Sequence, residues 1–183
     1  MKIYEGYLTE KNLGEALKLI FPKGEWIHNK TIPQSGYRFR PDYRNDYYKL
    51  VVEYDGDGHY TKARIACEDP KRWAVISELG YTPIPIPYFI QIDETFYENW
   101  FERHGGISQG LEFSDFPHGF ISKDSVLPAD FCTMGILRFH EEMSRMHEIY
   151  SASVMASLLL KAESLGEDLV FPRADMSCGR PLL

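Results

Sequence analysis

The run Tyr47-Tyr48-Lys49-Leu50-Val51-Val52-Glu53-Tyr54 constrains the fold more than any other stretch of the chain. Aromatic and β-branched residues dominate it, and these suit a pleated, half-buried strand. A period of two puts Lys49, Val51, Glu53 and Asp55 on one face and Leu50, Val52 and Tyr54 on the other. Gly56-Asp57-Gly58 then breaks the strand. Upstream, Tyr37-Arg38-Phe39-Arg40 alternates aromatic with basic residues and reads as a strand with a charged face. Arg44-Asn45-Asp46 supplies the turn residues between the two, so the spacing predicts a hairpin.

The flanking segments extend this unit. Leu8 to Ile20 predicts a helix, with Thr9 as N-cap and Leu13, Ala16, Leu17 and Ile20 at helical spacing. Trp26-Ile27-His28 is a short strand. A second helix is expected from Cys67 or Glu68 to Leu79, with Pro70 in its first turn and Gly80 closing it. Thr82 to Ile92 reads as a further strand, but its three prolines push it to a sheet edge or into a bulge. Helix, strands, helix, strand describes an α/β (α+β) fold with a central mixed β-sheet flanked by helices. Phe96 to Phe101, Ala129 to Arg145 and Ile149 to Leu165 read as helices. A soft boundary near residue 110 divides a core, 1–110, from an appended helical lobe, 111–183, suited to target binding or homodimerisation.

Charge narrows the class of function. The net charge of −7 argues against a uniformly basic nucleic-acid binder. The asymmetry inside the chain argues otherwise. Residues 1–72 hold 13 Lys and Arg against 11 Asp and Glu, whereas residues 73–183 hold 7 against 16. The first part can face a polyanion and the remainder solvent or a partner. No apolar run reaches about 18 residues, so a membrane span is not expected. The N-terminus lacks the apolar core of a signal peptide. The three cysteines are odd in number and have no CxxC spacing, so they read as reduced thiols of a cytoplasmic protein. Phosphate-binding glycine motifs and the GxSxG elbow are missing. Glu53 to Gly58 imitates an EF-hand start, but Arg64 stands where that loop needs a bidentate glutamate.

The chemistry concentrates at Asp42 and at Glu53-Tyr54-Asp55. A hairpin that sets Asp42 beside Glu53 offers two carboxylates to one hard cation, which suits Mg²⁺ with its retained waters. Mn²⁺ would substitute. Crowding Asp42, Glu53 and Asp55 together is costly without a cation, because like charges repel and burial penalises each ionised form. Arg38 and Arg40, interleaved with aromatics beside these acids, are candidate phosphate contacts. The histidines His118, His140 and His147 lack zinc-ligand companions.

In order, the chain carries Arg40-Pro41-Asp42, a short hairpin, Val52-Glu53-Tyr54-Asp55-Gly56 with His59 soon after, Asp69-Pro70-Lys71-Arg72, and Glu78-Leu79-Gly80-Tyr81 before an apolar strand. This arrangement resembles the PD-(D/E)XK nuclease superfamily, nearest the branch around very-short-patch repair endonucleases, over about half the chain. The resemblance implies a restriction-endonuclease-like core and a Mg²⁺-dependent DNA endonuclease of restriction, repair or phage-defence type. It makes Asp42 and Glu53 metal-binding acids. Asp55 stands where the family pattern has a lysine that positions the attacking water. There Asp55 would add a metal ligand, His59 would transfer protons, and Lys49 or Lys62 would replace the missing cation. Glu15 matches a helix glutamate that reaches the metal through water. Asp69 and Arg72 match the D-x-x-R element, and Gln91 follows the site on the last strand. Lys62, Arg64 and Arg72 join Arg38 and Arg40 as expected DNA contacts. The rival expectations are a degenerate, non-catalytic module that binds nucleic acid or protein, and a nuclease acting on RNA.

Overall fold

The computed structural model describes residues 8–108, except 34 and 93, and residues 128–168, except 146 and 147. The element order is α1 (Glu10–Ile20), β1 (Trp26–His28), β2 (Tyr43–Asn45), β3 (Leu50–Asp55), α2 (Gly58–Thr61), α3 (Ala63–Glu78) and β4 (Thr82–Pro87). These are followed by α4 (Glu94–Phe96), a π-turn (Tyr97–Phe101), a 3₁₀ turn (Glu102–His104), a second 3₁₀ turn (Pro128–Asp130), α5 (Thr133–Arg145) and α6 (Glu148–Leu165). The strands form one mixed sheet in the order β1-β2-β3-β4. The first two pairings are antiparallel and β3–β4 is parallel. Helices flank the sheet.

α1 begins where the cap residue dictates, the Thr9 hydroxyl accepting from Asn12 N at 3.2 Å. Its buried stripe is Leu13, Ala16, Leu17 and Ile20. These pack with Leu50, Val52, Ile84 and Ile86, from alternate positions of β3 and β4, in the main core. Gly14 lets α1 approach the sheet, since a Cβ there would lie 2.6 Å from Tyr43 Cζ. Phe131, Ile136, Phe139, Val154, Leu158 and Ala162 join the same cluster, so α5 and α6 share one core with α1 and the sheet. The boundary expected near residue 110 falls outside the described residues. Among the described residues no helix is long and apolar enough to cross a membrane.

Three expectations about local structure need correction. The hairpin's first strand is Tyr43–Asn45, not Tyr37–Arg40, so residues read as a turn are strand. Asn45 explains the shift. Its Nδ2 donates to Lys23 O at 2.9 Å and its Oδ1 accepts from Tyr47 N and Tyr48 N, which caps the turn from within the strand. Arg44 is correspondingly buried, donating to Thr31 O at 3.0 Å. The second helix starts at Ala63, earlier than expected, so Pro70 lies inside it on an exposed position rather than in its first turn. The strand expected over Thr82 to Ile92 stops at Pro87.

β4 resolves its prolines by position. It is an edge strand, and Pro83, Pro85 and Pro87 occupy alternate residues. Thr82 N donates to Lys49 O and Tyr88 N to Asp55 O, so donors in this phase face β3. The three missing donors therefore fall on the outer edge, where a ladder bond is not required.

Candidate functional site

The β2–β3 register pairs Tyr43 with Val52, which sets Asp42 opposite Glu53 at the open end of the hairpin. Opposed residues of antiparallel strands share a face. The two acids interlock with the backbone: Asp42 N donates to Glu53 Oε2 at 3.3 Å, and Tyr54 N donates to Asp42 Oδ2 at 2.7 Å. Glu53 is buried at 4 % exposure. Burial, against the lowering pull of the Arg72 guanidinium, pushes its carboxyl up to about 8. Burial likewise raises Asp42, opposed by the Tyr54 N–H and aided by the Glu10 charge. Arg72, on α3, brings its Nη2 to 2.7 Å from Glu53 Oε1. That oxygen is nevertheless buried without an aligned hydrogen bond.

Two residues along β3, Asp55 points the same way and meets a different set of partners. Its Oδ1 lies 3.4 Å from His59 Nδ1, and its Oδ2 is paired with Nη2 of Arg138, from α5. Asp69 sits on the buried stripe of α3 with Ala66 and Ile76. Its Oδ2 accepts from Arg138 Nη1 at 3.0 Å and lies 2.7 Å from His59 Nδ1. Arg138 Nε donates to Glu142 at 2.7 Å, and Glu142 in turn accepts from the buried Tyr60 hydroxyl. The guanidinium also lies over the rings of Tyr60 and Trp73, 4.8 and 4.9 Å from their centroids. One arginine thus contacts three carboxylates, of which Asp55 and Asp69 are buried and Glu142 is partly buried. Burial raises Asp55, with Arg138 and His59 pulling the other way. Burial works to lower His59, but the Asp69 hydrogen bond and the Asp55 and Asp69 charges outweigh it and raise the imidazole.

Asp42, Glu53 and Arg72 form one group, and Asp55, His59 and Asp69 the adjoining one. Glu15 lies apart, exposed beside Lys18 at 3.2 Å, in a cavity of about 550 Å³ between α1 and β1. The α1 acid whose charge acts on Asp42 is Glu10, which holds His28 Nε2 at 2.7 Å. Arg38, Arg40, Lys62 and Arg64 are exposed, and Arg64 reaches Glu68 at 3.5 Å. Lys49, at φ 56°, stands at the far end of β3 over the Tyr81 ring. Gln91 is buried and accepts from Leu8 N at 2.9 Å, anchoring the chain entering α1. His140 is exposed on α5, while His118 and His147 lie outside the described residues.

Sequence reasoning missed Arg138, Glu142, Tyr60 and Glu10. A faint signal existed for one pair, since Arg138 and Glu142 are spaced i, i+4 on a helix. Among the described residues no group of three or more His, Cys, Asp or Glu side chains is arranged to hold a metal ion. Asp42 and Glu53 bring two carboxylates together, with Glu53 also contacted by Arg72 and Asp42 N, and the third acid, Asp55, is engaged by His59 and Arg138. No protein-family model, curated protein or solved structure matches the chain.

Proposed function

We propose that this chain is a Mg²⁺-dependent DNA endonuclease built on a restriction-endonuclease-like core. The observation that carries the reading is the interlock of Asp42, the residue just before β2, with Glu53 on the adjacent antiparallel strand, through bonds of 3.3 and 2.7 Å to each other's backbone neighbourhood. The order α1-β1-β2-β3-α3-β4, with only its last pair parallel, supports the same reading. Glu53 Oε1, buried and ion-paired with Arg72 at 2.7 Å, is the oxygen that would turn to the cation.

Asp42 and Glu53 would hold the ion, Mg²⁺ or Mn²⁺. When bound, it would lower the pKa of a water and offset charge on the scissile phosphate. Arg72 shields Glu53 and orients a phosphate oxygen at the rim. Asp69 holds the His59 ring through Nδ1, which leaves Nε2 as the atom that exchanges a proton with the attacking water or departing oxygen. Asp55 serves here as the acid that anchors Arg138 and steadies His59. The exposed Arg38, Arg40, Lys62 and Arg64 give the strand a basic approach.

Plasmid DNA incubated with the protein should be cut in Mg²⁺ or Mn²⁺ and left intact in chelator, and Asp42→Ala and Glu53→Ala should abolish cutting while melting normally. Cutting by Asp42→Ala would overturn the assignment. One observation favours a second reading, a nucleic-acid or protein binding module without catalysis: Asp55, which stands where the family pattern has its lysine, is committed to Arg138. That module would show no Mg²⁺-linked rise in melting temperature and would bind without cutting. An RNA substrate offered beside the DNA separates the third case.

A further inference from the structure

A cavity of about 420 Å³ opens beside the acid cluster and plays no part in the chemistry above. Its walls are the Trp73 and Trp100 rings and the proline ledge of β4, with Arg138 and Arg145 at one end. In the parallel register Pro85 stands beside Glu53 and Pro87 beside Asp55, so the ledge runs directly along the acids. Arg138 is shared, lining the cavity while pairing with Asp55.

The character of the walls selects the occupant. Trp100 stacks on Phe96 through one face, with centroids 4.7 Å apart and planes 6° from parallel, while its ring also lines the cavity. The charged side chains lining the cavity are two arginines, Arg138 and Arg145, and two glutamates, Glu142 and Glu141, and Arg138 is further opposed by Asp55 and Asp69. A phosphate would meet no net positive charge here. A flat, neutral ring with donors and acceptors on its edge fits flat aromatic and proline walls closed by paired polar ends.

We infer that this cavity receives one unstacked base of the nucleic-acid strand, a placement that rests on the nuclease reading and names how that site grips its substrate. The base leaves its stack, lies against Trp100, and presents its edge to the Arg145–Glu141 pair, while its own phosphate stays outside the cavity.

The test uses the full chain in chelator, so that binding is read without cutting. A short single strand bearing 2-aminopurine should lose fluorescence on binding the wild type and Trp26→Phe, whose ring lies at the other cavity. Trp100→Leu should bind it about 5- to 150-fold more weakly. A fully abasic strand of equal charge should suffer a similar loss on the unmodified protein, so the result does not depend on whether Trp100→Leu folds. Equal affinity for base-bearing and abasic strands overturns the inference, as does displacement of the strand by a proline-rich peptide but not by nucleosides. Metal-dependent plasmid cutting is scored separately: cutting without base-dependent binding removes the cavity and keeps the nuclease, and the converse removes the nuclease alone.

Discussion

Replacing Arg138 with methionine keeps much of the stem and deletes the guanidinium. In the native protein that group, on a side chain only 10 % exposed, pairs with Asp55, with Asp69 at 3.0 Å and with Glu142 at 2.7 Å. Asp55 and Asp69 are themselves 2 % and 4 % exposed. Stranding one partner of a buried ion pair costs about 3–5 kcal/mol. Three carboxylates lose their arginine here, but His59 and the Tyr60 hydroxyl remain and each acid can take up a proton, which limits the loss. We therefore expect about 3–5 kcal/mol at neutral pH rather than a multiple of it. With a urea slope of about 2–3 kcal/mol/M, the unfolding midpoint falls by about 1–2.5 M. The deficit should shrink on acidification, because protonated acids need no cation, and grow as pH rises. Circular dichroism during urea titration at two pH values reads both effects. A deficit below about 1 kcal/mol would put the network among solvent-screened pairs and refute its role in holding α5 to the sheet.

Gly135→Ala would set a Cβ 1.9 Å from the Tyr60 carbonyl oxygen, a backbone atom that cannot swing away; we expect a loss of at least about 1–3 kcal/mol, and an unchanged melting temperature would contradict this packing. Glu53 has its folded pKa raised from 4.5 to about 8, so metal-free stability should decline as pH rises across that interval. Glu53→Gln should remove this part of the slope, and an identical slope in both proteins would count against the burial argument. Pro85→Val restores an outward N–H on the edge of β4 and should promote strand-to-strand association, visible as earlier elution on size exclusion. Elution at the wild-type volume would show that the prolines do not guard that edge.

The mixed sheet was legible because its signals are local. The Glu53 strand declares itself by alternation, and the α1 cap and stripe are written in consecutive residues. The neighbourhood of Asp42 and Glu53 was legible even though the hairpin was misplaced, since the acid-bearing strand and its turn fix the return path approximately. Asn45 misled the boundary because its side chain performs turn chemistry from a strand position. The resemblance points to Glu15, whereas the α1 acid whose charge acts on Asp42 is Glu10, because only packing decides which acid of one helix lies toward a given strand. Arg138 could not be found, as its contact with Asp55 spans 83 residues and no local pattern marks a helix arginine for burial.

The reach of Arg138 also gives the site a clock. Its partner Asp69 leaves the ribosome 69 residues ahead of it, an interval of roughly 3–14 s at ordinary elongation rates. Until α5 emerges, Asp55 and Asp69 have His59 but not Arg138 as a partner, so burying them is less favourable. A product truncated before α5 would carry Asp55 and Asp69 without their arginine and would be less stable than the chain that includes it.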